Sequence, residues 1–330
     1  MSIPSTAPCA FTLGPSLLFC PGSMPARFGK AAARADAVII DLEDAVTAVD
    51  KPTARIDVAR ALDAGAALTA GQIAGRSAGD AAGPREADRD EPALDPETTL
   101  VRLNAGDPEE LEADLQALDG AGVRHLVVPK AADVAVLDRL HAAMPQAGLI
   151  PQIERPDGVL AASALAAHPA VEALFWGTED MTAALGGTTS RTPDGALRGA
   201  LQHIRHMVLI TAAAHGLAAV DATSTELRSR PRLTADAEEA WASGFAAKAC
   251  IHPDQVEPIR RAYMPAPADV ERAKALLAAA PSSPAAFRFR GEMVDAPVVA
   301  QARRVLARYD AGREHHEDRG RRRHDADESE

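Results

Sequence analysis

TLVRLNAGDPEELEADLQALDGAGVRHLVVP, residues 99–129, is the stretch on which the fold turns. It opens on an apolar run, Thr99–Leu103, and passes through a polar turn into a helical stretch with apolar spacing, Pro108–Ala121. It closes on a second run, His125–Pro129. Short apolar runs without clean alternation are what parallel strands buried on both faces look like, and a helix between two of them makes a crossover unit. The unit recurs. Further runs are Ser16–Cys20, Ala37–Leu42, Gly148–Ile153, Ala173–Gly177, Leu217–Asp221 and Ala247–Ile251, with helical stretches such as Gly195–His215 between them. Eight strands over roughly 250 residues fit an α/β chain folded as a (β/α)8 TIM barrel, where an open doubly wound sheet would show fewer. No G-x-G-x-x-G follows the first strand, since the two glycines of GPSLLFCPGS have the wrong spacing for a dinucleotide site.

The barrel is expected to span residues 14–265, after a disordered N-terminus at 1–13. Residues 64–98 are small, charged and aperiodic and read as a mobile insertion. Residues 266–310, with the hinge-like PSSP at 281–284 and the segment AFRFRGEMVD, read as a C-terminal helical lid, and 311–330 as a disordered charged tail. With 35 Lys+Arg against 47 Asp+Glu the chain carries −12. The insertion holds seven acids and three bases and the tail seven and five, so half of the excess lies outside the patterned chain. A net negative charge repels nucleic acid and anionic membranes, which excludes both as partners. No apolar run approaches the ~18 residues of a spanning helix and no basic leader precedes the first strand, so the protein reads as cytoplasmic. Cys9, Cys20 and Cys250 have no metal-type spacing and read as free, buried thiols. The 47% hydrophobic content excludes a disordered or fibrous chain.

In a TIM barrel the chemistry sits at the C-terminal ends of the strands. Those ends carry Asp41, Glu43 and Asp44, then Arg102 and Asn104, Lys130, Glu154, Glu179 and Asp180, Asp221, and His252. Carboxylates converging on one mouth without a Cys/His set favour a hard, oxygen-liking cation, Mg²⁺ or Mn²⁺. Glu154 and Asp180 end consecutive strands, 26 residues apart, and are the expected ligands, with positions left for water and substrate. The competing reading is a rim of internal salt bridges among Glu43, Asp44, Arg102 and Lys130. Gly177 permits close approach, so the turn of Gly177, Thr178 and Glu179 is expected to offer backbone N–H groups to a substrate carboxylate.

The segments LLFCPGSMPARFGKA, ADAVIIDLEDAV, DKPTAR, VRLNAGD, VVPKA, IERPDGV, WGTEDMTAALGG, CIHPDQ and GEMVD, in this order over about residues 14–310, resemble the citrate lyase β-chain-like CoA-ester lyases of the HpcH/HpaI aldolase superfamily. The resemblance implies a Mg²⁺-dependent TIM barrel, usually a homotrimer, that makes or breaks a carbon–carbon bond between an acyl-CoA and a small oxo compound. It implies Glu154 and Asp180 as metal ligands, Arg102 on the reacting oxygen, Glu43 and Asp44 supporting the metal waters and that arginine, and Asp295 as a lid acid/base. Asp295 either completes a neighbour's site or simply caps the helix that follows it. Lys51 and Lys130 are candidates for phosphate or pantetheine contacts, or for rim salt bridges. Three departures stand out: Gly14-Pro15-Ser16 replaces an RRS-like triplet whose arginine helps hold CoA, Arg155 replaces a small residue, and Asp254 replaces a small hydroxyl residue. The expected function is cleavage or condensation of a malyl-, citramalyl-, citryl- or hydroxymethylglutaryl-CoA. The alternatives are an aldolase on free hydroxy-oxo acids, or a citrate lyase β subunit acting only with an acyl carrier partner.

Overall fold

The computed structural model describes residues 11–75, 93–227, 229–280 and 286–327. All eight expected strands form: β1 (Ser16–Pro21), β2 (Ala37–Asp41), β3 (Thr99–Arg102), β4 (His125–Val128), β5 (Gly148–Ile153), β6 (Ala173–Trp176), β7 (Ala218–Asp221) and β8 (Ala247–Cys250). Neighbours pair in parallel and in chain order, and β1 pairs with both β2 and β8, so the sheet closes on itself. Helices follow the strands: α1 (Phe28–Arg34), α2 (Lys51–Gly75), α3 (Pro108–Leu118), α4 (Val134–Ala143), α5 (Pro156–Ala166), α6 (Glu179–Ala184), α7 (Gly199–Ala214), α8 (Arg230–Ser243) and α9 (Val256–Ala262). This is the expected TIM barrel.

Register decides what faces inward. Ile39, Leu100, Ile150, Phe175 and Val220 belong to the core that fills the barrel. Side chains alternate along a strand, so the same parity carries Asp41, Arg102, Gln152 and Glu154 inward at the C-terminal end. It also sends Asp221 outward to the helices. The core begins before β1: Leu13 is 2% exposed and Phe11 packs on the same cluster, so these residues belong to the fold and not to a disordered leader. Residues 1–10, with Cys9, lie outside the described residues. Gly14-Pro15-Ser16 stands where β1 starts, the end opposite Glu154. There the Ser16 hydroxyl donates to Asp36 Oδ2 at 2.6 Å.

The boundaries of the expected insertion are corrected. α2 continues through 64–75, because this Ala-rich, proline-free stretch has high helix propensity. Leu94 is fully buried and donates its N–H to Ala61 O at 2.9 Å. Only residues 76–92 of the segment lie outside the described residues.

The chain divides into two compact units, Met1–Ile259 and Arg260–Glu330, a division six residues before the expected start of the lid at 266. The second unit contains α10 (Pro267–Ala279), a hairpin of β9 (Phe287–Phe289) and β10 (Glu292–Val294), and α11 (Ala296–Asp327). Leu276, Phe289, Val294 and Ala302 form its small core. Of the expected charged tail at 311–330, residues 311–327 continue α11, and 328–330 lie outside the described residues. The PSSP segment lies outside the described residues. Among the described residues no helix is long and apolar enough to cross a membrane.

Gly65 meets the Leu94 backbone so closely that a Cβ would overlap Leu94 O. Gly65→Ala and Leu94→Ala should therefore each destabilise the barrel, the latter by about 2–5 kcal/mol. Urea unfolding checks this, and unchanged midpoints would mean that residues 93–95 do not pack on α2.

Candidate active site

The acids at the barrel mouth differ in what neutralises them. Asp41, at the end of β2, takes Arg102 from the end of β3 in a two-pronged pair, Nε to Oδ1 at 2.8 Å and Nη2 to Oδ2 at 2.6 Å. It also accepts the backbone N–H groups of Glu43 and Ala45 at 2.9 and 3.1 Å, which fixes the turn that carries Glu43. Arg102 Nη1 lies 3.2 Å from Glu43 Oε2, and its guanidinium sits 4.9 Å from the centre of the Phe19 ring. A planar cation held on three sides has little freedom left. The Lys130 ammonium reaches Glu43 Oε1, and Asp44 Oδ2 at 3.4 Å. The expected rim of salt bridges among Glu43, Asp44, Arg102 and Lys130 is thus present.

Glu154 stands outside that rim. It is 1% exposed, and its oxygens accept only uncharged donors: Lys130 N–H at 2.9 Å and Gln152 Nε2 at 2.6 Å. Burial, then the Asp180 and Glu43 carboxylates, push its carboxyl up to about 8, against the opposing pull of Arg102. Asp180, half-buried in the first turn of α6, is therefore a near neighbour of like charge. A Cβ on Gly177 would lie 2.6 Å from Glu154 Oε2, so glycine is required there by Glu154 itself. Burial also raises the Glu43 carboxyl, with Arg102 and Lys130 offsetting part of the effect.

The other expected site residues have varied surroundings. Lys51 donates to Leu42 O at 2.9 Å, Glu43 O at 3.2 Å and Asn104 Oδ1. An ammonium has three N–H donors, so Lys51 braces the turn and keeps none for a phosphate. Gly177 N–H is taken by Ile153 O at 3.0 Å, while Thr178 is buried at the head of α6 and Glu179 is exposed, accepting from Ser190 at 2.9 Å. Asp221 is not at the mouth. It faces the helices and binds Arg205 and Lys248, each at 2.8 Å, and Trp176 at 2.7 Å. Burial alone would raise its carboxyl, but Lys248 and Arg205 outweigh that and hold it at about 2. Asp295 is exposed at the head of α11, its Oδ1 3.5 Å from Val298 N. Cys20 is buried and its thiol is pushed up to about 11, as expected of an inert cysteine.

Asp41 and Gln152 have no assigned role in the sequence reading, yet one clamps Arg102 and the other holds Glu154. Strand parity is the signal that finds both: 37, 39, 41 and 150, 152, 154 share the inward face.

Residues 15–75 and 87–253 match the family model of HpcH/HpaI aldolase/citrate lyase. The chain belongs to this family. A citrate lyase subunit beta-like protein of Mycobacterium tuberculosis is 38% identical over 295 residues, 89% of this chain and 95% of that protein. A (3S)-malyl-CoA thioesterase of Cereibacter sphaeroides is 33% identical over 265 residues, 80% of this chain and 82% of that protein. The crystal structure of Mycobacterium tuberculosis CitE in complex with magnesium, acetoacetate and coenzyme A superposes with a TM-score of 0.73 at 37% identity, covering 90% of this chain and 98% of that one. Membership of the HpcH/HpaI family makes the protein an enzyme of a lyase and aldolase family built on this barrel.

The Glu154 carboxyl has a clear thermodynamic signature. Its folded pKa of about 8 stands above the ordinary 4.5, so the folded state holds its proton more tightly than the unfolded chain. The stability this gives is complete below pH 4.5 and is lost as pH rises towards 8. In metal-free buffer, the melting temperature of wild type relative to Glu154→Gln should fall across that window. A difference that does not change with pH would contradict the burial.

Proposed function

We propose that the protein is a Mg²⁺-dependent carbon–carbon lyase that cleaves or forms a β-hydroxyacyl-CoA of the malyl, citramalyl, citryl or hydroxymethylglutaryl type, with an acyl-CoA and a small oxo compound as the other side of the reaction. One observation carries this: Glu154 is buried beside Asp180 with no direct ion pair of its own, while the cations nearest to it are bound to other acids. The donor set fits a divalent ion. Among the described residues no group of three or more His, Cys, Asp or Glu is placed to enclose a metal. Glu154 and Asp180 would then hold the ion with water and substrate in the remaining positions, the manner in which Mg²⁺, and next Mn²⁺, is commonly bound. The relative solved with magnesium, acetoacetate and coenzyme A supports the same reading.

Once bound, the ion would polarise the substrate oxygen and offset the charge that develops as the carbon–carbon bond breaks. The rest falls to the chain's own side chains. Arg102, fixed by Asp41, directs N–H donors at the developing negative oxygen without having to reorganise, an effect worth about 3–4 kcal/mol per donor. Glu43 and Asp44 keep the cations of the rim in place. The N–H groups of Thr178 and Glu179 orient a substrate carboxylate at the head of α6. Asp295 moves the proton, supplied by a neighbouring subunit of a homotrimer; its exposure and its long capping contact leave it available for this. The thioesterase relative supports a second reading, hydrolysis of the same thioester. Products separate the readings: an oxo acid with acyl-CoA for the lyase, and a free hydroxy acid with CoA for the thioesterase. Turnover of the free acid would indicate an aldolase, and a requirement for an acyl carrier protein would indicate a citrate lyase subunit.

Glu154→Ala and Asp180→Ala should each abolish turnover of a CoA-ester panel while leaving circular dichroism unchanged, and Arg102→Lys should lower kcat by about a hundredfold. Undiminished activity in EDTA would contradict the metal site. Inactive Asp295→Asn subunits reassembled with inactive Glu154→Ala subunits should regain activity. Normal turnover by Asp295→Asn alone would leave it only the capping role.

A further inference from the structure

Lys130 has a left-handed backbone, φ 53°, one of two such non-glycine residues among those described. Asparagine and glycine adopt this region readily, whereas a lysine is held there only when its surroundings demand it. The demand is visible in what its two ends touch. Lys130 immediately follows Pro129 at the end of β4. Its backbone N–H donates to Glu154 Oε1 at 2.9 Å, at the end of β5 on one side. Its side chain runs the other way, past β3, to Glu43 Oε1 and to Asp44 Oδ2 at 3.4 Å beyond the end of β2. Two strand spacings amount to roughly 10 Å, a span that needs a long side chain reaching towards another long one. One residue thus connects the ends of β2, β4 and β5 across β3, and the sharp turn at positive φ lets the amide and the ammonium diverge.

The ammonium acts on Arg102 through Glu43. Glu43 Oε1 is held by Lys130 and Glu43 Oε2 lies against Arg102 Nη1, so the carboxylate is stretched between two cations. Without the ammonium, Glu43 has one partner only, and the Nη1 edge of Arg102, the edge that Asp41 does not clamp, loses its fixed backing. We propose that Lys130 is a positioning residue, its amide fixing Glu154 and its ammonium fixing Glu43 and, through it, Arg102, with the left-handed backbone tolerated for that purpose. This deepens the lyase reading and rests on it for its kinetic consequences. It also replaces the phosphate contact that the sequence suggests for this lysine.

The experiment compares wild type with Lys130→Asn, Lys130→Gly and Lys130→Arg. Asn and Gly keep the amide and accept the backbone while deleting the ammonium. They should melt at or above the wild-type temperature yet lose at least about tenfold in kcat, with the KM for the CoA thioester changed less than about twofold. Arg, which retains a cation of similar length, should recover part of the lost kcat. Wild-type kcat in Lys130→Asn would overturn the proposal. So would a rise in KM for the CoA ester that is absent with the corresponding pantetheine thioester, because that pattern belongs to a phosphate contact. A fall in melting temperature with unchanged kcat would also overturn it, leaving a merely structural lysine. A wild type that turns over no thioester defeats the lyase reading instead. The positioning claim is then decided by a thermal double-mutant cycle of Lys130→Asn with Glu43→Gln: non-additive melting shifts support it and additive ones overturn it.

Discussion

Five carboxylates share two cations at the mouth of this barrel. Asp41, Glu43 and Asp44 take Arg102 and Lys130 between them, and Glu154 is left without an ion pair and under the like charge of Asp180. Burying an unpaired carboxylate is costly, because the protein interior solvates charge poorly and a like charge nearby adds to the penalty. In the metal-free protein that cost appears as a Glu154 carboxyl pushed up to about 8, towards its neutral form. A divalent cation would meet it by replacing the proton. The remaining features of the mouth follow from holding this unbalanced arrangement still: the Asp41 clamp, the Lys51 brace, the Gln152 and Lys130 amide bonds to Glu154, and a glycine at 177 where any side chain would strike that glutamate.

Much of this was legible in the sequence, and the failures have physical causes. The strands could be read because each is a short apolar run bounded by polar turns, and strands buried on both faces leave that trace. Which face a polar residue takes is a matter of counting by two, and neglecting that count put Asp221 at the mouth when it belongs among the helices. The same count would have assigned roles to Asp41 and Gln152. Small, aperiodic sequence at 64–75 resembled a mobile loop, although alanine needs no periodicity to form a helix and Gly65 is small so that Leu94 can press against it. Lys51 and Lys130 illustrate a different limit. A lysine's partners depend on tertiary distance, and only the structure shows one with all its donors committed and the other bent into a left-handed turn.

Family membership and site geometry bear on different questions. The HpcH/HpaI match and the superposition on a CitE structure concern the barrel and its class of chemistry. Among the similar proteins, one carries a citrate lyase name and another a thioesterase name. The selection among acyl groups that differ by a methyl or methylene rests on about 1–3 kcal/mol of pocket shape. The charge balance at Glu154 and Asp180 is the feature on which the account stands.

Calorimetric titration of the metal-free protein with Mg²⁺ at pH 7, repeated in two buffers of different ionisation enthalpy, tests that balance directly. With the Glu154 carboxyl pushed up to about 8, and so largely protonated at pH 7, binding of one ion should release close to one proton, and Glu154→Gln should bind more weakly with no such release. Stoichiometric binding that releases no proton, or binding that survives unchanged in Glu154→Gln, would contradict the account.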